Sequence, residues 1–203
     1  MSAREEILRA LRAASYEAPL PNVIASNVLA SGAKRAPGVS IQRFIERAVA
    51  AGVEVIPTEV ELLPQMVARH AASAGVKSVV VWDDEILAPV TEALRQAGIS
   101  VTDRPEQADA GITTADFAIA ETGTLVLTTS RGRPRAASLV PPRHIAVVSQ
   151  DRIVGTLFDL FPRFGSLPSA LTFITGPSRT ADIELTPVRG VHGPVAVTVF
   201  ITE

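Results

Sequence analysis

The stretch "KSVVVWDDEILAPVTEALRQAGISVT" at Lys77–Thr102 contains one repeat of the pattern that decides the fold. A β-branched run at Ser78–Trp82 predicts a strand, Glu85–Ala97 predicts a helix, and Ile99–Thr102 predicts the next strand. Gly98 stands between helix and strand, where glycine commonly ends a helix. Because strands that alternate with helices build a parallel sheet, the stretch predicts an α/β fold with a mostly parallel sheet flanked by helices.

The same alternation extends towards the N-terminus, with a helix predicted over Ser40–Ala51, a strand over Val53–Pro57 and a helix over Val60–Ala74. After Gly111 strands dominate. They are predicted in the segments "DFAIA", "TLVLTT", "HIAVVS", "LTFIT" and "VAVTVFIT", with a short helix in "GTLFDLFPRF". We therefore expect a single α/β domain of roughly seven to eight strands over residues 38–203.

Residues 1–37 have a different pattern. An amphipathic helix is predicted from Ser2 to about Ala14, with Ser2 as N-cap and Glu5 as its capping-box partner. The segment Tyr16–Pro37 contains three prolines and little periodicity, which predicts an extended arm.

Composition excludes several classes of protein. The chain has 203 residues, a net charge of −2 and no cysteine, so disulfides, thiolate metal sites and cysteine-bound iron–sulfur clusters are excluded. The sequence lacks dinucleotide-binding, P-loop and nucleophile-elbow motifs. It also lacks a basic helix-turn-helix, so binding to nucleic acid is not expected. No apolar run approaches the ~20 residues that span a bilayer, and the N-terminus lacks the apolar segment of a secretory signal, so we expect a cytoplasmic protein without a membrane span.

The "ETGT" turn at Glu121–Thr124 separates two apolar strands. A buried charge is costly, so Glu121 is expected at a strand end or at the mouth of a pocket, as base, nucleophile or hydrogen-bond acceptor. Gly123 allows a tight reversal and close approach of the backbone to a ligand. The alternative is a solvated turn whose threonines, Thr122 and Thr124, form local hydrogen bonds.

A basic segment follows, in which Arg131, Arg133 and Arg135 lie within five residues and precede Arg143 and His144. Arginines in a loop can bind phosphate or carboxylate through bidentate contacts. The alternative is a solvated basic loop. His144 begins a strand, where a lone histidine is more often structural than catalytic.

The third polar stretch is "ITGPSRTADIEL" at Ile174–Leu185. Gly176 begins a turn after a strand, at the end where α/β sheets place ligands. A helical turn that starts near Thr180 would add free backbone N–H groups, which favour an anion. The alternative is that Ser178 caps this short helix and that Asp182 lies in its first turn.

Histidine is rare in the chain, with only His70, His144 and His192, and no two of them have a metal-binding spacing. We therefore expect no metal site. His192 lies in "RGVHGP", where the glycines on both sides leave it exposed.

The motifs "AIAETGTLVL", "RHIAVV", "GPSRTADIE" and "GVHGP", in this order, resemble the lactate-utilisation protein C family, also called the LUD-domain family. The resemblance implies a fold similar to glucosamine-phosphate isomerases, ribose-phosphate isomerases and CoA transferases. It also implies a part in the oxidation of L-lactate to pyruvate beside iron–sulfur and cysteine-rich partner proteins. Pro187 and Arg189 depart from the family's apolar pattern, so a regular strand is not expected there.

These patterns predict one cleft between the "ETGT" and "GPSRT" turns that binds a small carboxylate or phosphate. Glu121 and His192 are the candidate catalytic residues. The candidate ligand-binding residues are Thr122, Gly123, Thr124, Arg135, His144, Gly176, Ser178, Arg179, Thr180 and Asp182. The first hypothesis is a non-redox subunit without a cofactor of its own. A stand-alone acyl/CoA transferase or sugar-phosphate isomerase that uses Glu121, and a metabolite sensor, are the alternatives.

Overall fold

The computed structural model describes residues 4–10, 41–164, 168, 170–181, 187–189 and 192–203, with the backbone alone at 180, 181 and 187–189. Its internal contacts divide the chain into two units, Met1–Arg35 and Ala36–Glu203. In the first unit, residues 4–10 are helical with exposed side chains. The predicted arm at Tyr16–Pro37 lies outside the described residues.

The second unit contains five described α-helices and twelve described β-strands. The helices are α1 (Ile41–Ala50), α2 (Leu63–Ser73), α3 (Ala88–Gln96), α4 (Ala136–Leu139) and α5 (Leu157–Leu160). The strands are β1 (Glu54–Thr58), β2 (Ser78–Val81), β3 (Ser100–Val101), β4 (Ala110–Thr114), β5 (Phe117–Ile119), β6 (Thr124–Thr128), β7 (Arg143–Ser149), β8 (Ile153–Val154), β9 (Leu171–Ile174), β10 (Arg179–Ala181), β11 (Pro187–Arg189) and β12 (Ala196–Thr202). The expectation of seven to eight strands was therefore too low.

Six strands form a sheet in the order β1-β12-β7-β4-β2-β3, and every neighbouring pair is parallel. β7 and β12 lie inside the sheet and are buried along almost their whole length, which explains their continuous apolar runs. Helices α1, α2 and α3 bury apolar stripes against the same core, through residues such as Phe44, Val67 and Leu94. The predicted fold class, a mostly parallel sheet flanked by helices, is confirmed.

β4 is central in this sheet, yet the apolar pattern did not predict it. Its sequence is AGITT, with Ile112 as the single large apolar residue and Gly111 in second position. A Cβ at Gly111 would collide with the backbone carbonyl of Ala137 in α4. Glycine therefore lets α4 lie directly on the strand.

A second sheet has the order β8-β5-β6-β9, in which β5, β6 and β9 are antiparallel neighbours. One face of it, with Ala118 and Leu125, joins the main core. The other face, with Val126, forms a smaller cluster beneath α5. A capping box between Thr156 and Asp159 begins α5.

The segment after β9 differs from the prediction. Arg179–Ala181 is not the start of a helical turn but a strand, β10, which pairs antiparallel with β11 at Pro187–Arg189. Pro187 is the first residue of its strand, a position that tolerates a missing N–H donor. The expectations of a helix near Thr180 and of no regular strand at Pro187 and Arg189 were both wrong.

Candidate functional site

The two turns that the sequence placed in one cleft do lie side by side. β6 and β9 pair so that Leu125 faces Ile174, which brings the turn before β6 next to the turn after β9. Three threonine hydroxyls connect them, with 2.6 Å between Oγ1 of Thr122 and Thr124 and 2.7 Å between Oγ1 of Thr124 and Thr175. The predicted proximity of the two motifs is therefore correct.

What these turns contact is a helix. Gly123 and Gly176 have φ angles of 68° and 82°, in the left-handed region that favours glycine. A Cβ at Gly123 would collide with the backbone of α1 at Arg47 and Ala48, and one at Gly176 would collide with the carbonyl of Ala51. The close backbone approach that the sequence predicted for a ligand is made here to α1.

Arg179 acts on the same helix end. Its Nη2 donates a hydrogen bond of 2.8 Å to the carbonyl oxygen of Ala51, just beyond the last residue of α1. The carbonyls at the C-terminus of a helix lack intrahelical partners and carry partial negative charge, so a guanidinium stabilises them. This contact gives Arg179 a structural role that does not need a bound anion.

Residues 193 and 194, which follow His192, lie beside the same turn. The backbone N–H of Ser178 donates to the carbonyl of Pro194 at 2.8 Å, and a Cβ at Gly193 would lie 3.3 Å from that of Ser178. His192 is exposed. The side chain of Thr180 and all of Asp182 lie outside the described residues, so their predicted roles stay predictions.

Two further candidates are exposed. The backbone N–H of Glu121 bonds the carbonyl of Gly155, but its carboxylate makes no hydrogen bond or ion pair with the described residues. A nucleophile or general base is normally oriented by a partner, and none of the described contacts orients Glu121. Arg135 occupies the N-cap position of α4, where its carbonyl accepts a 3.0 Å hydrogen bond from the hydroxyl of Ser138.

His144 is a core residue. It lies on β7 between β4 and β12, and its Nε2 is 2.9 Å from the hydroxyl of Thr113. Burial lowers the pKa of His144 to about 4, so the ring is neutral at pH 7. His144 is only 1% exposed, which favours a structural role, and its predicted part in ligand binding stays a prediction.

A polar cleft lies instead at the carboxyl ends of β2, β4 and β7, the edge at which parallel α/β sheets place ligands. Its volume is about 280 Å³. The lining residues are Asp84, Ile86, Thr114, Ala115, Asp116, Arg133, Val147, Ser149 and Arg152. Asp84 follows β2, Thr114 ends β4, Ser149 ends β7, and Arg133 comes from the loop between β6 and α4.

Arg133 is the centre of this cleft. Its Nη1 donates to Oδ1 of Asp116 and its Nη2 to the hydroxyl of Thr114, both at 3.0 Å. Its Nε lies 3.5 Å from Oδ2 of Asp84, an ion-pair distance without hydrogen-bond geometry. The hydroxyl of Thr114 donates to the same Asp84 oxygen at 2.6 Å. Two carboxylates therefore surround one guanidinium.

The loop that carries Arg133 packs against the two residues that follow β2, Trp82 and Asp83. The guanidinium lies 4.5 Å above the ring of Trp82, and the indole N–H of Trp82 donates to the carbonyl of Pro134 at 3.0 Å. The backbone N–H of Asp83 donates to the carbonyl of Gly132 at 3.0 Å. These contacts fix the position of the Arg133 guanidinium within the cleft.

The basic segment of the sequence contains Arg133, but its predicted ligand contact was Arg135, and no sequence motif indicated Asp84, Thr114 or Asp116. Each missed residue follows or ends a parallel strand, which is a recognisable signal. For Thr114 and Asp116 the signal was lost because β4 itself was not predicted.

Comparison with known proteins identifies the family. The LUD domain family model matches residues 28–202. The chain belongs to the LUD domain family. Lactate utilization protein C of Halalkalibacterium halodurans is 33% identical over 168 residues, which cover 74% of this chain and 73% of that protein. Lactate utilization protein C of Bacillus subtilis is 38% identical over 130 residues, 60% of this chain and 54% of that protein.

A solved structure also resembles this LUD domain. The crystal structure of a DUF162 family protein from Deinococcus radiodurans aligns with a TM-score of 0.60 and 26% identity. The alignment covers 80% of this chain and 95% of the other. The family that the motifs predicted is therefore confirmed. No described helix is both long and apolar enough to cross a membrane.

Proposed function

We propose that this LUD-domain protein is a non-redox subunit of a cytoplasmic L-lactate utilisation system and binds a small anionic ligand in the cleft around Arg133. The lactate role is supported by the 33% identity to a lactate utilization protein C across about three quarters of both chains. Electrons would pass through iron–sulfur partner proteins, because a chain without cysteine has no thiolates to hold such clusters.

The cleft, and not the "ETGT" and "GPSRT" turns, is the proposed binding site. It combines a concave surface at the strand carboxyl ends with converging charged and hydroxyl side chains, as small-molecule sites do. In the two turns, Gly123 and Gly176 pack against the C-terminal end of α1, and Arg179 donates a hydrogen bond to the carbonyl of Ala51.

Genetic complementation tests this function. The chain would be produced in a Bacillus subtilis strain that lacks its own lactate utilization protein C, with L-lactate as the carbon source. We expect the wild-type chain to restore growth. Asp116→Asn removes a carboxylate that pairs with Arg133 and should abolish growth, whereas Arg95→Gln, an exposed change on α3, should not.

Immunoblotting would establish that all variants accumulate to the same level. Normal growth with Asp116→Asn would exclude the cleft from the function. Failure of the folded wild-type chain to restore growth would count against the lactate role itself. Purification of the tagged chain from the same cells, followed by iron and sulfide analysis, tests for the iron–sulfur partners.

A further inference from the structure

The charged residues of the cleft form a less exposed group around Arg133, here called the inner end, and a more exposed cation, Arg152, here called the outer end. At the inner end, Asp84 and Asp116 carry two negative charges against the single positive charge of Arg133. Only 18% of the Arg133 side chain is exposed, and its two Nη atoms already donate to Asp116 and Thr114. An anion at this end would face a net negative charge at short range, so Arg133 is not the residue that binds it.

The inner end instead offers hydrogen-bond acceptors. Asp84 uses Oδ2 for Thr114 and Arg133, whereas its Oδ1 has no partner among the described residues. The half-buried hydroxyl of Ser149 lines the same cleft and also makes no hydrogen bond to the residues that the structure describes. A carboxylate oxygen can only accept, so this end favours a ligand group that donates, such as a hydroxyl.

The outer end offers a cation. Arg152 lies in the short 3₁₀ turn after β7, and its side chain is 56% exposed. Its Nε is 3.9 Å from Asp151 and its guanidinium lies 5.7 Å from the ring of Phe117. Such a long, exposed ion pair contributes little, so the guanidinium can bind a carboxylate in bidentate fashion.

Apolar side chains also line the cleft. Ile86, Ala115 and Val147 line the cleft together with the polar residues, and its volume of about 280 Å³ is at the lower limit of small-molecule sites. A cleft of this size with a partly apolar lining suits a ligand with a short carbon chain.

We propose that the cleft binds a short hydroxycarboxylate, with the carboxylate on Arg152 and the ligand hydroxyl donating to Asp84 while it accepts from the hydroxyl of Ser149. We further propose that the cleft discriminates against the corresponding oxo acid. This inference rests on the proposed function and adds a preference for the reduced acid over the oxidised acid. The carbonyl oxygen of an oxo acid cannot donate, and it would place lone pairs against the Asp84 carboxylate. The site would thus hold the reduced acid and release the oxidised one.

Isothermal titration calorimetry on the purified full-length chain tests the inference, with L-lactate, pyruvate and propionate as probes. Propionate has the carboxylate and a chain of the same length but no hydroxyl. A hydrogen bond to a charged acceptor corresponds to roughly tenfold or more in affinity, so we expect L-lactate to bind at least about tenfold tighter than either other acid.

Substitutions of Arg152 and Ser149 test which residue binds which group of the ligand. Arg152→Gln should weaken all three probes about tenfold or more, because each carries the carboxylate. Ser149→Ala should weaken L-lactate and leave propionate unchanged, because propionate has no oxygen that can accept from the serine hydroxyl. Arg95→Gln is the matched control, since Arg95 is 58% exposed and has a similarly long ion pair of 3.8 Å with Glu92. Thermal unfolding of each variant would verify the fold.

Several results would overturn the inference: pyruvate binding as tightly as L-lactate, Arg152→Gln binding like wild type, or no binding of millimolar L-lactate to the folded chain. If glycerol 3-phosphate bound far more tightly than glycerate, the acidic group of the preferred ligand would be a phosphate and not a carboxylate. Complementation without hydroxyl selectivity would leave the lactate role standing and refute this ligand class. Selective binding of L-lactate without complementation would support this ligand class and refute the role in lactate utilisation.

Discussion

Replacement of Arg133 by methionine should destabilise the protein substantially. Methionine fills similar space but removes the positive charge between Asp84 and Asp116, together with the hydrogen bonds to Asp116 and Thr114. Breaking a fully buried charge pair costs about 3–5 kcal/mol. The Arg133 side chain is 18% exposed and those of its two partners are 22–30% exposed, so solvent reduces the expected loss to about 2–3 kcal/mol.

Urea unfolding at pH 7 measures this loss, and the protein supplies its own probe. Trp82 is the single tryptophan of the chain and lies 4.5 Å beneath the Arg133 guanidinium. With a urea m-value near 2 kcal/mol/M, the unfolding midpoint should fall by about 1 M. Arg133→Lys keeps the charge but loses the fork of donors, so it should lie between wild type and methionine.

Arg152→Gln provides the comparison, because its exposed pair with Asp151 should contribute less than about 0.5 kcal/mol. A midpoint for Arg133→Met within error of wild type would refute the description of Arg133 as the fastened centre of the cleft. Equal losses of unfolding free energy for Arg133→Met and Arg152→Gln would refute the inference that Arg133 stabilises the fold while Arg152 contributes little to stability.

Three further predictions concern the remaining motifs. Gly123→Ala and Gly75→Ala both introduce a Cβ at positive φ, but only Gly123 faces a backbone, so urea unfolding should show about 1 kcal/mol lost at Gly75 and at least about 2 kcal/mol more at Gly123. Equal losses would contradict the contact with α1. Burial lowers the folded-state pKa of His144 from 6.5 to about 4, so the unfolded chain binds the proton first as the pH falls. Its contribution to stability is complete above about pH 6.5 and decreases towards pH 4, by about 2 kcal/mol between pH 7 and pH 5. Urea unfolding of wild type and His144→Met at both pH values would detect it, and an identical pH dependence in both would argue against a neutral buried ring. Arg179→Ala should lose the contact with the Ala51 carbonyl and about 0.5–1 kcal/mol, yet leave the calorimetric affinity for L-lactate unchanged. Loss of affinity in this variant would return the binding site to the "GPSRT" turn.

The parallel sheet could be predicted because its buried strands are apolar and β-branched. β2, β7 and β12 have such runs, and positive-φ glycines such as Gly75 and Gly98 end the helices before the next strands. β4 was missed in this way, because Ala110 and Gly111 at its start leave only the short β-branched run Ile112–Thr114. The reason for Gly111 is the carbonyl of Ala137, which is distant in sequence.

The candidate site was predictable only in part, for a similar reason. Positive φ at Gly123 and Gly176 shows that something approaches the backbone, and a ligand and a helix meet that requirement equally well. The sequence could place the two turns together but not identify α1 as their contact. Asp84 and Asp116, in contrast, look like ordinary loop residues until the parallel strands bring them within reach of Arg133.

Three arginines illustrate why the number of cations in a segment does not locate an anion site. Arg179 donates to a backbone carbonyl, and Arg133 is held between two carboxylates, so the charge of each already has a partner in the folded chain. Among the described residues, Arg152 makes a long, exposed ion pair with Asp151 and lies 5.7 Å from the ring of Phe117, and it lines the cleft. Because a bound carboxylate must find donors that the protein does not already use, the folded structure favours Arg152 although it lies outside both arginine-containing motifs of the sequence.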